Sequence, residues 1–284
     1  MAANSVPSGC TGRGRGVVSK SVEPPGLARG RGRGVGDAPA ENPVPGLGSL
    51  KINGDGNGYD TDARTALETV TEKPGNMSEV TTVLNKWLDL AEANEDIGEA
   101  VARSACELMA HGEYGDKIRE ITLGRIFQMF KECSDQKIKS TSTLVHRFSF
   151  MSYMYLIQRH PDSHKRFDIY IAPLLLFTKE ILKHKLTEDV VKILAKQISI
   201  NGIALNSTAE GRAELEQIFI SIRETLLLDS IEAKLRPYLL FLCDIQAANY
   251  KPLAENLMKF YSKYLDSCQR YKPSDIDVKL YGTK

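Results

Sequence analysis

The chain has 284 residues, 42% apolar and 26% charged, with a formal net charge of +1, which is material for one core and excludes a uniformly basic or acidic polyelectrolyte. No apolar run approaches the ~18 residues of a membrane span, and the opening MAANSVPSG lacks the apolar stretch of a secretory signal. A soluble protein of the cytoplasm, or also of the nucleus, with no membrane contact is expected. The five cysteines (Cys10, Cys106, Cys133, Cys243, Cys268) are odd in number and widely spaced, which suits reduced thiols better than a disulfide framework.

Residues 1–75 hold fifteen of the 22 glycines and seven of the 12 prolines, with Tyr59 as the sole aromatic residue. Such a segment buries too little apolar surface to offset its ordering entropy, so a disordered tail is predicted over 1–75. Its tip is basic: residues 1–36 carry six Lys or Arg against Glu23 alone. Two related segments, GRGRGV at 12–17 and RGRGRGVG at 29–36, flank a Pro-Pro pair.

Helical periodicity begins after Lys73-Pro74-Gly75-Asn76 and predicts a domain over 76–270, with 271–284 as a short C-terminal tail. Ser78 is the expected cap of a first helix carrying Val80, Val83, Leu84, Trp87 and Leu88 on one face. A polar turn over Glu92–Asp96 leads to a second with Ile97, Val101, Ala105 and Leu108. Ile118, Ile121, Phe127 and Phe130 mark a third, and Leu144, Val145, Phe148, Met151, Tyr155 and Leu156 a fourth, ended by Pro161. A fifth covers Phe167–Lys183, interrupted or begun afresh at Pro173. Thr187 caps a sixth with Val190, Val191, Leu194 and Ile198. Leu215, Ile218, Phe219, Ile222 and Leu226 mark a seventh, Ile231, Leu235, Leu239, Leu242 and Ile245 an eighth, and Pro252 opens a ninth through Leu257, Phe260, Tyr264 and Leu265. No alternating strand pattern occurs. Successive helix pairs of roughly 35 to 45 residues predict an all-α fold, an α-α superhelix of HEAT-like hairpins, with a single globular bundle as the alternative.

The chain has no His-Glu-x-x-His, no Cys-x-x-Cys, no Walker motif and no complete calcium loop, so neither metal nor cofactor is expected and no catalytic residue is nominated. Lys131 with Lys137 and Lys139, and Lys183-His184-Lys185, gather at expected helix ends, where the macrodipole favours cations in any case. The aromatic run Phe148, Phe150, Tyr153, Tyr155 has the spacing of a core. Tyr170 through Leu176 matches a Tyr-x4-Leu-Leu string that resembles the motif binding the cap-binding initiation factor, but it falls in an expected buried helix. The RG segments differ: guanidinium groups pair with phosphates and stack on bases while glycine keeps the chain adaptable. Arg13, Arg15, Arg29, Arg31 and Arg33 are the candidate RNA contacts.

Three segments, IAPLLLFTKEIL at 171–182, EDVVKILAKQISINGIAL at 188–205 and RAELEQIFISIRETLLLDSIEAKLRPYLLFLCDIQAANYKP at 212–252, together resemble the middle domain of eukaryotic initiation factor 4G. Its short single-domain relatives include poly(A)-binding-protein-interacting, cap-binding-complex-dependent and stem-loop-binding-protein-interacting proteins. The likeness is strongest over 167–250. Where the family carries a Leu-Arg-x-x-x-Trp-like signature, this chain has Gln246 for the arginine and Tyr250 for the tryptophan. The resemblance implies a non-catalytic scaffold of HEAT-like hairpins, with Gln246 and Tyr250 at the partner site. It implies messenger RNA and translation or messenger-ribonucleoprotein proteins as partners, such as the initiation helicase 4A, poly(A)-binding protein or cap-binding proteins. An adaptor of RNA processing or nonsense-mediated decay is the alternative, since the same domain serves there.

Overall fold

The computed structural model describes residues 77–110, 114–160, 163 and 165–265. They form nine α-helices: α1 (Met77–Ala93), α2 (Glu95–Ala110), α3 (Gly115–Ser134), α4 (Thr141–Ile157), α5 (Ile171–Leu182), α6 (Glu188–Leu205), α7 (Ala209–Leu227), α8 (Arg236–Ala247) and α9 (Glu255–Tyr261). No strand forms among the described residues, so the fold is all-α as the periodicity predicts. The tail, including all five RG arginines, lies outside the described residues. None of the described helices is long and apolar enough to cross a membrane.

The helices pack by alternation. α2 lies on α4, α4 on α6 and α6 on α8, while α3 lies on α5 and α5 on α7; α1 fits against α2, α3 and α4, and α9 rests on α8. At the centre, every residue of α4 from Phe148 to Ile157 is buried, as a helix apolar on all sides must be. Its two buried serines show how polar atoms enter such a helix. Ser149 Oγ accepts from Gln197 Nε2 at 3.2 Å and the Ser152 carbonyl accepts from Asn201 Nδ2 at 3.2 Å, so both tie α4 to α6.

The helix boundaries follow local chemistry. Ser140, Thr187 and Thr208 accept from the amides of Thr143, Val190 and Gly211, each three residues on, and so satisfy one orphan donor at the start of α4, α6 and α7. Pro173 stands in the first turn of α5 and Pro237 in that of α8, where the missing N–H is not needed and no kink results. A single 3-10 turn precedes each, Asp168–Tyr170 and Ala233–Leu235. α3 and α8 both end in Schellman motifs without glycine. At α3 the amides of Gln136 and Lys137 donate to the carbonyls of Cys133 and Glu132, with Gln136 at φ 54.

Four expectations are corrected. Ser78 is not a cap, because α1 already includes Met77. Phe127 is 66% exposed; the buried stripe of α3 runs through Ile118, Thr122, Ile126, Met129 and Cys133 instead, a phase one position away that also satisfies three-and-four spacing. α9 starts at Glu255 rather than Pro252 and has 7 residues, with Leu257, Phe260 and Tyr264 partly exposed instead of in the core. The fourth concerns Glu92, expected in a polar turn. It belongs to α1, is 8% exposed, and accepts from the Arg125 guanidinium on α3 and from Arg147 Nε on α4 at 2.6 Å. Arg125 also reaches Asp89 at 2.5 Å and Arg147 reaches Glu132 at 2.7 Å. Apolar periodicity cannot reveal this, because the partners are 33 and 55 residues away.

Candidate partner-binding site

The two residues nominated by the resemblance sit at the end of α8, and the local backbone explains their placement. The Asn249 amide donates to the Gln246 carbonyl at 2.8 Å and the Tyr250 amide to the Ile245 carbonyl at 2.6 Å, the paired bonds of a Schellman cap. Asn249 has φ 51 and Tyr250 φ 58. Asparagine tolerates the left-handed region, whereas for tyrosine it costs roughly 1 to 3 kcal/mol. Packing offsets that cost. The Tyr250 ring is 8% exposed, meets the Phe219 ring at 6.3 Å and lies across Gly202 of α6, where a Cβ would stand 2.1 Å from Tyr250 Cδ1. Glycine at 202 is therefore a seat for this ring. The Tyr250 hydroxyl is buried without a hydrogen-bond partner, and burial pushes it up to about 12, so it stays a neutral phenol at physiological pH.

Gln246 is half-buried one turn before, and its Oε1 accepts from Arg223 Nη2 of α7 at 2.6 Å. Gln246 and Tyr250 share one cleft of about 400 Å³, lined also by Asn206, Arg212, Leu215, Glu216 and Asn249. Side-chain amides from three positions, one arginine and one glutamate surround a floor of Leu215 and the Tyr250 ring. That mixture presents donors and acceptors of both kinds above an apolar base, which suits a polypeptide segment better than a polyanion. Sequence reading found two of these seven residues. Of the others, Asn249 lies between these two in the chain, Asn206 follows α6, and Arg212, Leu215 and Glu216 belong to α7; Arg212 and Glu216 at i,i+4 on an exposed face are the one local signal.

The two basic groups also converge. Lys139 with Lys183 and His184 lines a second cleft of about 260 Å³ over Cys133, Ile138 and Leu144. Lys183 pairs there with Glu180, which lines the same cleft, at 2.5 Å, and the cleft lies at the carbonyl ends of α3 and α5. Helix carbonyl ends attract cations and repel anions, which accounts for basic side chains gathering there.

Tyr170, the start of the Tyr-x4-Leu-Leu string, is fully buried and donates its hydroxyl to Gln158 Oε1. Leu175 is buried too, so the string serves the core. Phe148, Phe150, Tyr153 and Tyr155 are likewise core residues. Among the described residues no group of three His, Cys, Asp or Glu is placed to hold a metal ion. The cysteine thiols at 106, 133 and 243 are free, and burial raises each of them. No family model and no curated protein matches the sequence.

Proposed function

We propose that the chain is a HEAT-like α-α superhelix acting as a non-catalytic adaptor in messenger RNA translation, with the cleft at Gln246 and Tyr250 as its protein contact and the RG arginines as an RNA contact. The observation that carries the reading is the alternating helix order, α2 on α4 on α6 on α8 beside α3 on α5 on α7. Such stacking is how helical-repeat proteins extend a surface for partners. The cleft at the end of α8 supports the same reading, because it gathers the nominated residues with peptide-compatible groups from two further helices. The resemblance supplies the process, translation of messenger RNA, and the partner class, initiation or messenger-ribonucleoprotein proteins.

The test is affinity purification with and without ribonuclease, joined to tethering on a reporter transcript. The adaptor reading expects a translation or messenger-RNA-binding protein that survives ribonuclease, and a change in protein output larger than the change in transcript level. A fall in transcript abundance at constant output per transcript points to the decay alternative. Recovery of no such protein after ribonuclease defeats the adaptor reading.

A further inference from the structure

The last described helix carries aromatic side chains in solvent. On α9 and the turn after it Phe260 is 46% and Tyr264 37% exposed. The two rings stand at i,i+4 with centroids 5.8 Å apart, and Tyr264 is held in turn against the Tyr238 ring of α8 at 6.2 Å. Backing of that kind fixes an exposed ring and leaves its outer face free. Lys259 and Lys263 repeat at the same i,i+4 spacing, each next in sequence to one of the rings, with Lys251 just before α9; all three are exposed. The acidic residue of the helix, Glu255, lies a full turn before Lys259, and Asp244 beneath it is engaged by the Tyr261 hydroxyl at 2.6 Å.

A row of aromatic faces beside a row of lysines at one pitch is the arrangement that binds single-stranded nucleic acid. Bases stack on the rings irrespective of sequence, and the ammonium groups neutralise successive phosphates. A protein partner fits less well, because two protein surfaces joined through exposed aromatic residues are depleted in lysine at the contact.

We propose that α9 and its following turn form a stacking platform for single-stranded RNA, with Phe260 and Tyr264 as the base-contacting rings and Lys251, Lys259 and Lys263 as the phosphate contacts. The proposal rests on the reading of the chain as a messenger-RNA adaptor and assigns the folded domain an RNA contact separate from the RG arginines. It predicts no strong base preference.

The experiment uses the full chain with its five RG arginines replaced by alanine, so that tail binding does not mask the domain, and a fluorescein-labelled oligouridine as probe. Anisotropy titrations compare this protein with versions also carrying Phe260→Leu and Tyr264→Leu, or Lys259→Ala and Lys263→Ala. Leucine keeps the apolar packing and removes the π faces, and unchanged circular dichroism and Tm verify folding. The ring pair should lose about tenfold in affinity for each ring, and the lysine pair should flatten the slope of log affinity against log salt by about 0.7 per lysine. Equal affinity in parent and ring variant, or no oligouridine binding by the arginine-replaced parent, overturns the platform. So does concentration-dependent self-association of the parent that the leucine changes abolish, which would make the face a contact between copies. None of these results touches the ribonuclease-resistant partner on which the adaptor reading stands.

Discussion

The first four helices turn charge inward, whereas the last four turn apolar side chains outward. In α1–α4 a glutamate that is 8% exposed joins two arginines, Arg125 and Arg147, and Phe127 is the one large hydrophobic side chain left exposed there. From α6 to the turn after α9, Ile203, Ile220, Leu227, Leu228, Leu240, Leu257, Phe260 and Tyr264 are all exposed, and a tyrosine is held at positive φ. A buried ion network makes one arrangement of α1, α3 and α4 cheaper than its competitors at little gain in stability. Exposed apolar and aromatic groups are what a binding surface offers when they are contiguous. The ion network and the exposed apolar groups thus occupy opposite ends of the same stack, and the comparison can be broken at either end.

The largest effect is expected at the ion-network end. Glu92→Ala removes the acceptor shared by two mostly buried arginines, leaving Arg125 with Asp89 and Arg147 with Glu132, at a cost of about 3 kcal/mol, whereas Glu92→Gln keeps one acceptor and the packing and should cost less. Urea unfolding measures both. If the two substitutions cost the same small amount, the network is not what fixes α1 to α3 and α4.

At the other end, Gly202→Ala drives a methyl group into the Tyr250 ring and should cost about 2 kcal/mol. In a Tyr250→Gly background the same substitution should approach neutrality, because the ring is gone. A double-mutant cycle with no coupling would show that Gly202 is not the seat of Tyr250.

The next effect links the two ends. Burial pushes the Glu95 carboxyl of α2 from its ordinary 4.5 up to about 7, against the pull of Lys196 on α6 and with Asp96 and Asp189 adding to the rise. The folded-state value lies above the unfolded one, so the protonated group favours the folded chain fully below pH 4.5. That contribution is lost as the pH rises through about 7. Relative to Glu95→Gln, the parent should lose on the order of 1 kcal/mol between acid and mildly alkaline pH, after allowance for solvent around a half-exposed group. Parallel stability profiles for the two would exclude it.

The smallest effect concerns the two glycine-free Schellman caps. Gln136→Gly relieves a left-handed glutamine and should raise stability by about 0.5 kcal/mol, the strain relief being partly cancelled by the freer unfolded chain. Asn249→Gly should gain less, since asparagine already tolerates that backbone. A loss of stability on Gln136→Gly would mean that its side chain, not its backbone, matters at that cap.

How far the sequence carried varies by the kind of interaction. All nine helices, the Thr187 cap and the buried stripes of α4 and α8 follow from spacing, because each depends on neighbours within a turn or two. Phe127 was misread because α3 offers two apolar phases and only packing against α1, α2 and α5 selects the one through Ile126 and Met129. The Glu92 network and the Gly202 seat were invisible for a related reason: each is defined by a partner on another helix, and a glycine or glutamate carries no local sign of it. The cleft was half-legible. Gln246 and Tyr250 entered through a resemblance, while Asn206, Arg212 and Glu216 joined them only once α6 and α7 were folded against α8.

The alternation of the helices has a consequence for how the molecule opens. Among the described residues no principal packing contact ties α1 to α8 or α9, and the principal contact of α9 is with α8, so amide exchange should be graded along the described chain, fastest at α9 and slowest around α4. A ligand seated on α9 would then slow exchange there and in α8 while leaving α1 unchanged. For any ligand of α9 the local unfolding equilibrium of that helix would set part of the affinity, and the opposite end of the stack would be spared the perturbation.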